Sequence, residues 1–106
     1  MIIYEVNLVI DDDVFAEFGV WLKKHIAEML QFKGFVKANL LKEESEALDP
    51  QQKLTVQYYV RERNALEHYL LNHAPKMREE GLRRFNTKFS VSRRILSLQQ
   101  SWAIDG

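Results

Sequence analysis

The segment MIIYEVNLVIDDD, residues 1–13, decides how the rest of the chain is read. Ile2, Tyr4, Val6, Leu8 and Ile10 alternate with Ile3, Glu5, Asn7 and Val9, the two-residue period of a strand with one buried face. The even positions are the inward set. Asp11, Asp12 and Asp13 follow, and are expected to cap a helix and to place negative charge at the positive end of its dipole. That helix is predicted from about Val14 to Leu30. At about 100° per residue, Val14, Phe18, Trp21, Leu22, His25 and Met29 share one stripe, with Lys23, Lys24 and Glu28 away from it. A strand that runs straight into an amphipathic helix is the first half of a βαβ unit.

The remaining elements extend the pattern. Gly34 ends the helical segment, and FVKANLLK, residues 35–42, alternates again with Val36, Ala38 and Leu40 as the inward set. EESEALDPQQ, residues 43–52, is acidic and carries Pro50; it reads as a loop with room for a helical turn. LTVQYYVR then resumes strand character, with Leu54, Val56, Tyr58 and Val60 inward. A second helix is expected from about Arg63, its stripe formed by Leu66, Tyr69, Leu70, His73 and Met77. Pro75 lies inside this pattern but on the solvent side of the wheel. A proline there bends the helix over the sheet, or starts a second segment in the first turn, where its missing donor does least harm. KFSVSRRIL, residues 88–96, is the last strand, with Phe89, Val91, Arg93 and Ile95 on one face.

The order β-α-β-β-α-β predicts an α+β protein of ferredoxin-like type: a four-stranded antiparallel sheet with both helices on one face. One domain is expected over residues 1–96, followed by a tail, residues 97–106, whose Leu98, Trp102 and Ile104 suit packing on a partner chain. A chain of 106 residues supports one core. Lysine and arginine total 15 and aspartate and glutamate total 15, so the balance argues against a polyanion-binding protein, and no RNA-recognition octamer is present. No nucleic-acid partner is expected. The chain has no cysteine, which removes disulfides and thiolate chemistry and fits a reducing compartment. The N-terminus lacks a basic leader and no apolar run approaches membrane-spanning length, so a cytoplasmic protein with no membrane partner is expected.

MIIYEVNL, WLKKHIAEML, the GF pair at 34 and 35, HYLLNHAPKMREEGLRRF and KFSVSRRIL together resemble a family of small bacterial proteins of unknown function within the dimeric α+β barrel group. The resemblance covers roughly residues 1–96, and its most specific parts are the HAP and SRRIL segments. It implies the ferredoxin-like fold and a homodimer joined through the sheets, and it implies no reaction. The wider group includes cofactor-independent monooxygenases, lactone isomerases and haem enzymes, which share a cavity between helices and sheet.

Strand parity and helix phase place five polar residues between the layers: Tyr4, His25, Tyr58, His73 and Arg93. These are the candidate ligand-binding residues. The two histidines are suited to acid–base work and the tyrosine hydroxyls to orienting a bound molecule. Arg93 has no acidic residue on its own face, so its counter-charge must come from a partner chain or a ligand. No metal is expected, because the histidines sit on separate helices without a third inner ligand and no HExxH occurs; no cofactor is assigned. The opposite sheet face mixes Glu5, Asn7, Gln57 and Arg94 with Ile3, Val9, Phe35, Leu41 and Leu96, which suits closure against a second copy, with Glu5 and Arg94 as an ion pair. The expected function is a homodimeric module that binds a small molecule or a protein partner. The alternative is a cofactor-independent monooxygenase-like or isomerase-like enzyme with a histidine base.

Overall fold

A computed structural model describes residues 1–46 and 48–105. Ala47, in the acidic loop, and Gly106, at the end of the tail, lie outside the described residues, as does any helical turn at Ala47. The elements in chain order are β1 (Ile2–Asp11), α1 (Phe15–Met29), β2 (Phe35–Lys42), β3 (Gln51–Val60), α2 (Arg63–Asn72), α3 (Ala74–Phe85) and β4 (Phe89–Ser97). The strands form one antiparallel sheet in the order β2-β3-β1-β4. This is the ferredoxin-like arrangement.

The central strand β1 carries the phase of the whole sheet. Tyr4 faces Tyr58 on β3 and Ile95 on β4, Val6 faces Val56 and Arg93, and Leu8 faces Leu54 and Val91. Tyr4, Leu8, Ile10, Leu54, Val56, Tyr58 and Val60 are all buried, so the face read from alternation is the face the helices cover. Phe18, Leu22 and Met29 of α1 and Leu66 and Tyr69 of α2 pack down onto it. Burying a side chain of this size stabilises the fold by about 1.5–3 kcal/mol.

The structure corrects two expectations and decides between the two roles left open for Pro75. The aspartates do not cap α1 with their side chains; Asp12–Val14 form a short 3₁₀ turn before it. Instead Gln52 donates to Asp12 at 3.2 Å and Lys88 to Asp13 at 2.9 Å, tying the start of the helix to β3 and to the approach to β4. Secondly, Phe35 lies on the inner face, not the outer one. A bulge between Phe35 and Lys37 inserts one residue, so Phe35 pairs with Val60 while Ala38 pairs with Tyr58, and Val36 turns outward. The second helix is two. The chain breaks at His73, whose N–H donates to the Tyr69 carbonyl and whose own carbonyl accepts from Met77 at 3.0 Å. Pro75 falls in the first turn of α3, exposed, where its absent donor was unpaired in any case.

On the outer face Glu5 is buried within a polar network. Arg94 donates to its carboxylate, Gln57 and Asn7 each donate at 3.2 Å, and Thr55 donates to Asn7 at 2.8 Å. The Arg94 hydrogen bond, followed by that from Gln57, holds the Glu5 carboxyl below its usual range against the opposing effect of burial. A depressed folded-state value contributes stability that is present above the unfolded carboxyl value of about 4.3 and is lost as pH falls through the folded value. Glu5→Gln is therefore expected to lower stability at neutral pH and to flatten the acid limb of a melting-temperature profile below about pH 5. An acid limb of unchanged slope would show that the pair is not coupled to folding.

Candidate functional site

Between the helices and the sheet lies a cavity of about 370 Å³. This is at the lower end of the range for small-molecule sites. Its floor is the inner face of β1, β3 and β4, and its roof is α1 and α3 with Tyr69 of α2. The deep end is apolar, with Phe18, Leu22 and Met29 from α1. Leu82, Ser90 and Arg93 are exposed and mark where it meets solvent.

Four of the five candidate residues line this one space: Tyr4, His25, Tyr58 and Arg93. His73 does not. Its ring lies against Phe32, with centroids 4.7 Å apart, and 5.6 Å from the His68 ring, away from the cavity. The reason is the break at His73. A single continuous wheel puts His73 on the inner stripe, but the chain enters α3 with a new phase, in which Ala74, Arg78, Gly81 and Phe85 share one face. Ala74, Gly81 and Phe85 are buried, Arg78 is half-buried, and Arg78 lines the cavity. On the continuous wheel Arg78 sits about 120° from Leu66 and is passed over. The i, i+4, i+7, i+11 spacing of these four residues, counted from the residue before the proline, is the signal that finds it.

The tyrosines meet at the centre of the inner face. The Tyr4 and Tyr58 rings stack with centroids 6.0 Å apart, and Tyr69 from α2 tilts against Tyr4 at 6.2 Å. Burial pushes the Tyr58 hydroxyl well above the usual phenol range, and burial with the neighbouring Tyr4 pushes Tyr69 up to about 12. Both remain protonated donors at neutral pH. Arg78 donates to the Tyr4 hydroxyl at 2.9 Å. Arg93 reaches in from β4 and interacts with the same hydroxyl. Burial weakens its charged form, yet a guanidinium stays protonated at neutral pH.

His25 stacks on Trp21, ring centroids 4.8 Å apart. Burial lowers its pKa; Glu28 and Glu80 oppose this and Arg93 adds to it. The imidazole is thus neutral at pH 7 and has a ring nitrogen free to accept a proton. Among the described residues no three histidine, aspartate or glutamate side chains gather as a metal-ligand set. The chemistry on offer is that of an apolar slot with two guanidiniums, neutral phenols and one neutral imidazole at its polar end.

Comparison with known proteins agrees with this architecture. The chain is similar to a mutant of the cofactor-independent oxygenase SnoaB from Streptomyces nogalater, with a TM-score of 0.67 at 18% identity over 94% of this chain and 95% of that one. It is also similar to a protein from Deinococcus radiodurans with a provisional assignment as an antibiotic biosynthesis monooxygenase, with a TM-score of 0.70 at 14% identity over 100% of both chains. The de novo designed protein Foldit4 matches with a TM-score of 0.63 at 9% identity, over 92% of this chain and 98% of that one. Identities this low establish the fold alone, and a fold shared by an oxygenase and a designed protein assigns no reaction. No protein with a curated description matches the sequence. No helix among the described residues is long and apolar enough to cross a membrane. Residues 1–99 match the family described as a domain of unknown function, DUF4286, and the chain belongs to that family.

Proposed function

We propose that this protein binds a small organic anion with an apolar or aromatic body in the cavity between its helices and sheet. The observation that carries the reading is the division of the cavity into an apolar depth and a cationic end, with no aspartate or glutamate among its lining residues. Arg93 is the anion contact, Tyr4 and Tyr58 orient the ligand, and His25 lies along its flank. His73 is left out, because it borders Phe32 instead.

The working unit is a homodimer closed through the outer sheet faces, in the cytoplasm. Leu41 is exposed on that face, and Leu98, Trp102 and Ile104 of the tail are exposed as well, an apolar surface that a second copy would cover. The buried carboxylate of Glu5 at the centre of that face already has its partners within one chain, so covering it does not leave that charge unpaired.

A thermal-shift screen of neutral and acidic aromatic compounds, alongside sedimentation, tests this. A ligand at about a hundred times its Kd adds about 2.7 kcal/mol of stability, enough to raise Tm by roughly ten degrees. Val91→Trp, which places an indole in the cavity, is expected to abolish that rise while leaving the chain folded and sedimenting at twice the monomer mass. Equal stabilisation of the variant and the wild type would place any binding elsewhere.

A second reading has its own observation, the neutral imidazole of His25 opening on an apolar space. It is that of a general base removing a proton from an acidic carbon in a cofactor-independent reaction, the class named for SnoaB. Turnover of a bound compound that is lost in His25→Gln with binding retained would favour it. Binding without turnover supports the first.

A further inference from the structure

The polar end of the cavity holds two cations and no counter-ion. Arg78 comes from the inner stripe of α3 and Arg93 from the edge strand β4. Arg78 donates to the Tyr4 hydroxyl at 2.9 Å, and Arg93, paired with Val6 and so diagonal to Tyr4, interacts with the same oxygen and with the Arg78 charge. Four other arginines have carboxylate partners: Arg63 pairs with Glu67 on α2, Arg83 with Glu79 and Arg84 with Glu80 on α3, and Arg94 with Glu5 one residue along from Arg93 on β4; exposed Arg61, outside the cavity lining, has none among the described residues. Among the described residues neither Arg78 nor Arg93 forms a salt bridge.

Two like charges gathered on one neutral oxygen repel each other, and the partial loss of water around them, greater for half-buried Arg78 than for Arg93 at the mouth, adds to the cost. The tyrosine fixes their positions but supplies no charge. A carboxylate placed between them cancels one charge and leaves the other uncompensated. A doubly ionised group cancels both, and its several oxygens give each planar guanidinium its own acceptors.

We infer that the ligand of this cavity carries a dianionic oxyanion headgroup of the phosphate-monoester kind, clasped between Arg78 and Arg93 against the Tyr4 hydroxyl, with its apolar body lying toward Leu22 and Met29. The inference rests on the cavity being a small-molecule site and names the class of molecule it takes. The protonated hydroxyls of Tyr58 and Tyr69 add donors and do not compete as phenolates. Arg78 acts both as a contact and, through Tyr4, as the partner that sets the position of Arg93.

Calorimetric titration of the full chain with phenyl phosphate, benzoate, phenol and inorganic phosphate tests this at about pH 7.5, above the second phosphate ionisation near 6. Phenyl phosphate is expected to bind about tenfold tighter than benzoate, with phenol and inorganic phosphate weaker still because each offers half of the ligand. Arg78→Gln and Arg93→Gln should each weaken phenyl phosphate by roughly ten- to a hundredfold, the loss expected for a charge-assisted hydrogen bond, and leave phenol unchanged. Arg83→Gln, on the exposed side of α3, should change neither. Tyr4→Phe keeps the ring packing and removes only the hydroxyl, and it should also weaken phenyl phosphate. If phenyl phosphate binds no tighter than benzoate, or Arg78→Gln, folded by its unfolding midpoint, binds it as the wild type does, the clamp is overturned. Phenol binding that Val91→Trp abolishes would in that case leave the cavity reading standing. Failure of all four probes to bind would remove both.

Discussion

Phe18→Ala will lower the unfolding free energy by about 3–5 kcal/mol, the range for deleting a buried phenylalanine ring. The site is unusually poor in means of recovery. Phe18 is 0% exposed, and its ring sits 5.4 Å from Trp21, 4.9 Å from Phe85 and 5.0 Å from Phe89, so it joins α1, α3 and β4 at one point. Three rigid rings cannot collapse into the space as flexible aliphatic chains would, and each aromatic contact carries about 0.5–1.5 kcal/mol beyond its buried area. Against a total stability of about 5–15 kcal/mol for a domain, the loss should lower Tm by roughly 15 °C or more. Urea titration checks it: the midpoint should fall while the slope is unchanged. Phe18→Leu, which leaves most of the volume filled, should cost much less. A loss below about 1.5 kcal/mol for the alanine variant would mean that the aromatic cluster does not hold the helices on the sheet.

Gly34→Ala is expected to cost about 3 kcal/mol, through two separate penalties. Gly34 has φ of +89°, which side-chain-bearing residues avoid, and a Cβ built there lies 2.5 Å from the Cβ of Ala65 on α2. Neither atom can yield without moving backbone. The consequence reaches the site, because Gly34 delivers the chain into the bulge that turns Phe35 inward. Phe35 packs edge-on to Tyr58 at 6.0 Å and to Tyr69 at 5.3 Å, and Tyr58 and Tyr69 line the cavity. A double-mutant cycle with Ala65→Gly separates the penalties. The second substitution should remove the clash and return about half of the loss, leaving the backbone strain and the helix cost of glycine at position 65. Strict additivity of the two substitutions would show that the close approach of the loop and α2 is not what excludes a side chain at position 34.

These two residues also show where a linear reading succeeds and where it stops. Phe18 was legible as a core residue: it belongs to an uninterrupted stripe on a helix with no break, and Trp21 on that stripe packs with it, while Phe85 and Phe89 come to it from other elements. Gly34 was legible only as the end of a helix. What it does for Phe35 depends on an inserted residue in β2, and alternation assigns Phe35 to the wrong face because parity has no means of counting a bulge. The same limit separates His73 from Arg78. Both lie on one apparent helix, and the residue that reaches the cavity is decided by a change of helical phase at a proline whose two permitted roles could not be told apart from spacing.

The sequence by itself determined the order of elements, the buried face of β1 and β3, the inward placement of Arg93 and the pairing of Glu5 with Arg94. Each follows from a local period carried over many residues, and the cost of exposing a whole apolar face enforces it. Only the tertiary structure decided that Tyr4, His25, Tyr58 and Arg93 share one space with Arg78 and that His73 does not. Convergence of side chains from separate elements depends on where the phase slips, at one bulge and one helix break, and a slip costs too little locally to leave a periodic signature.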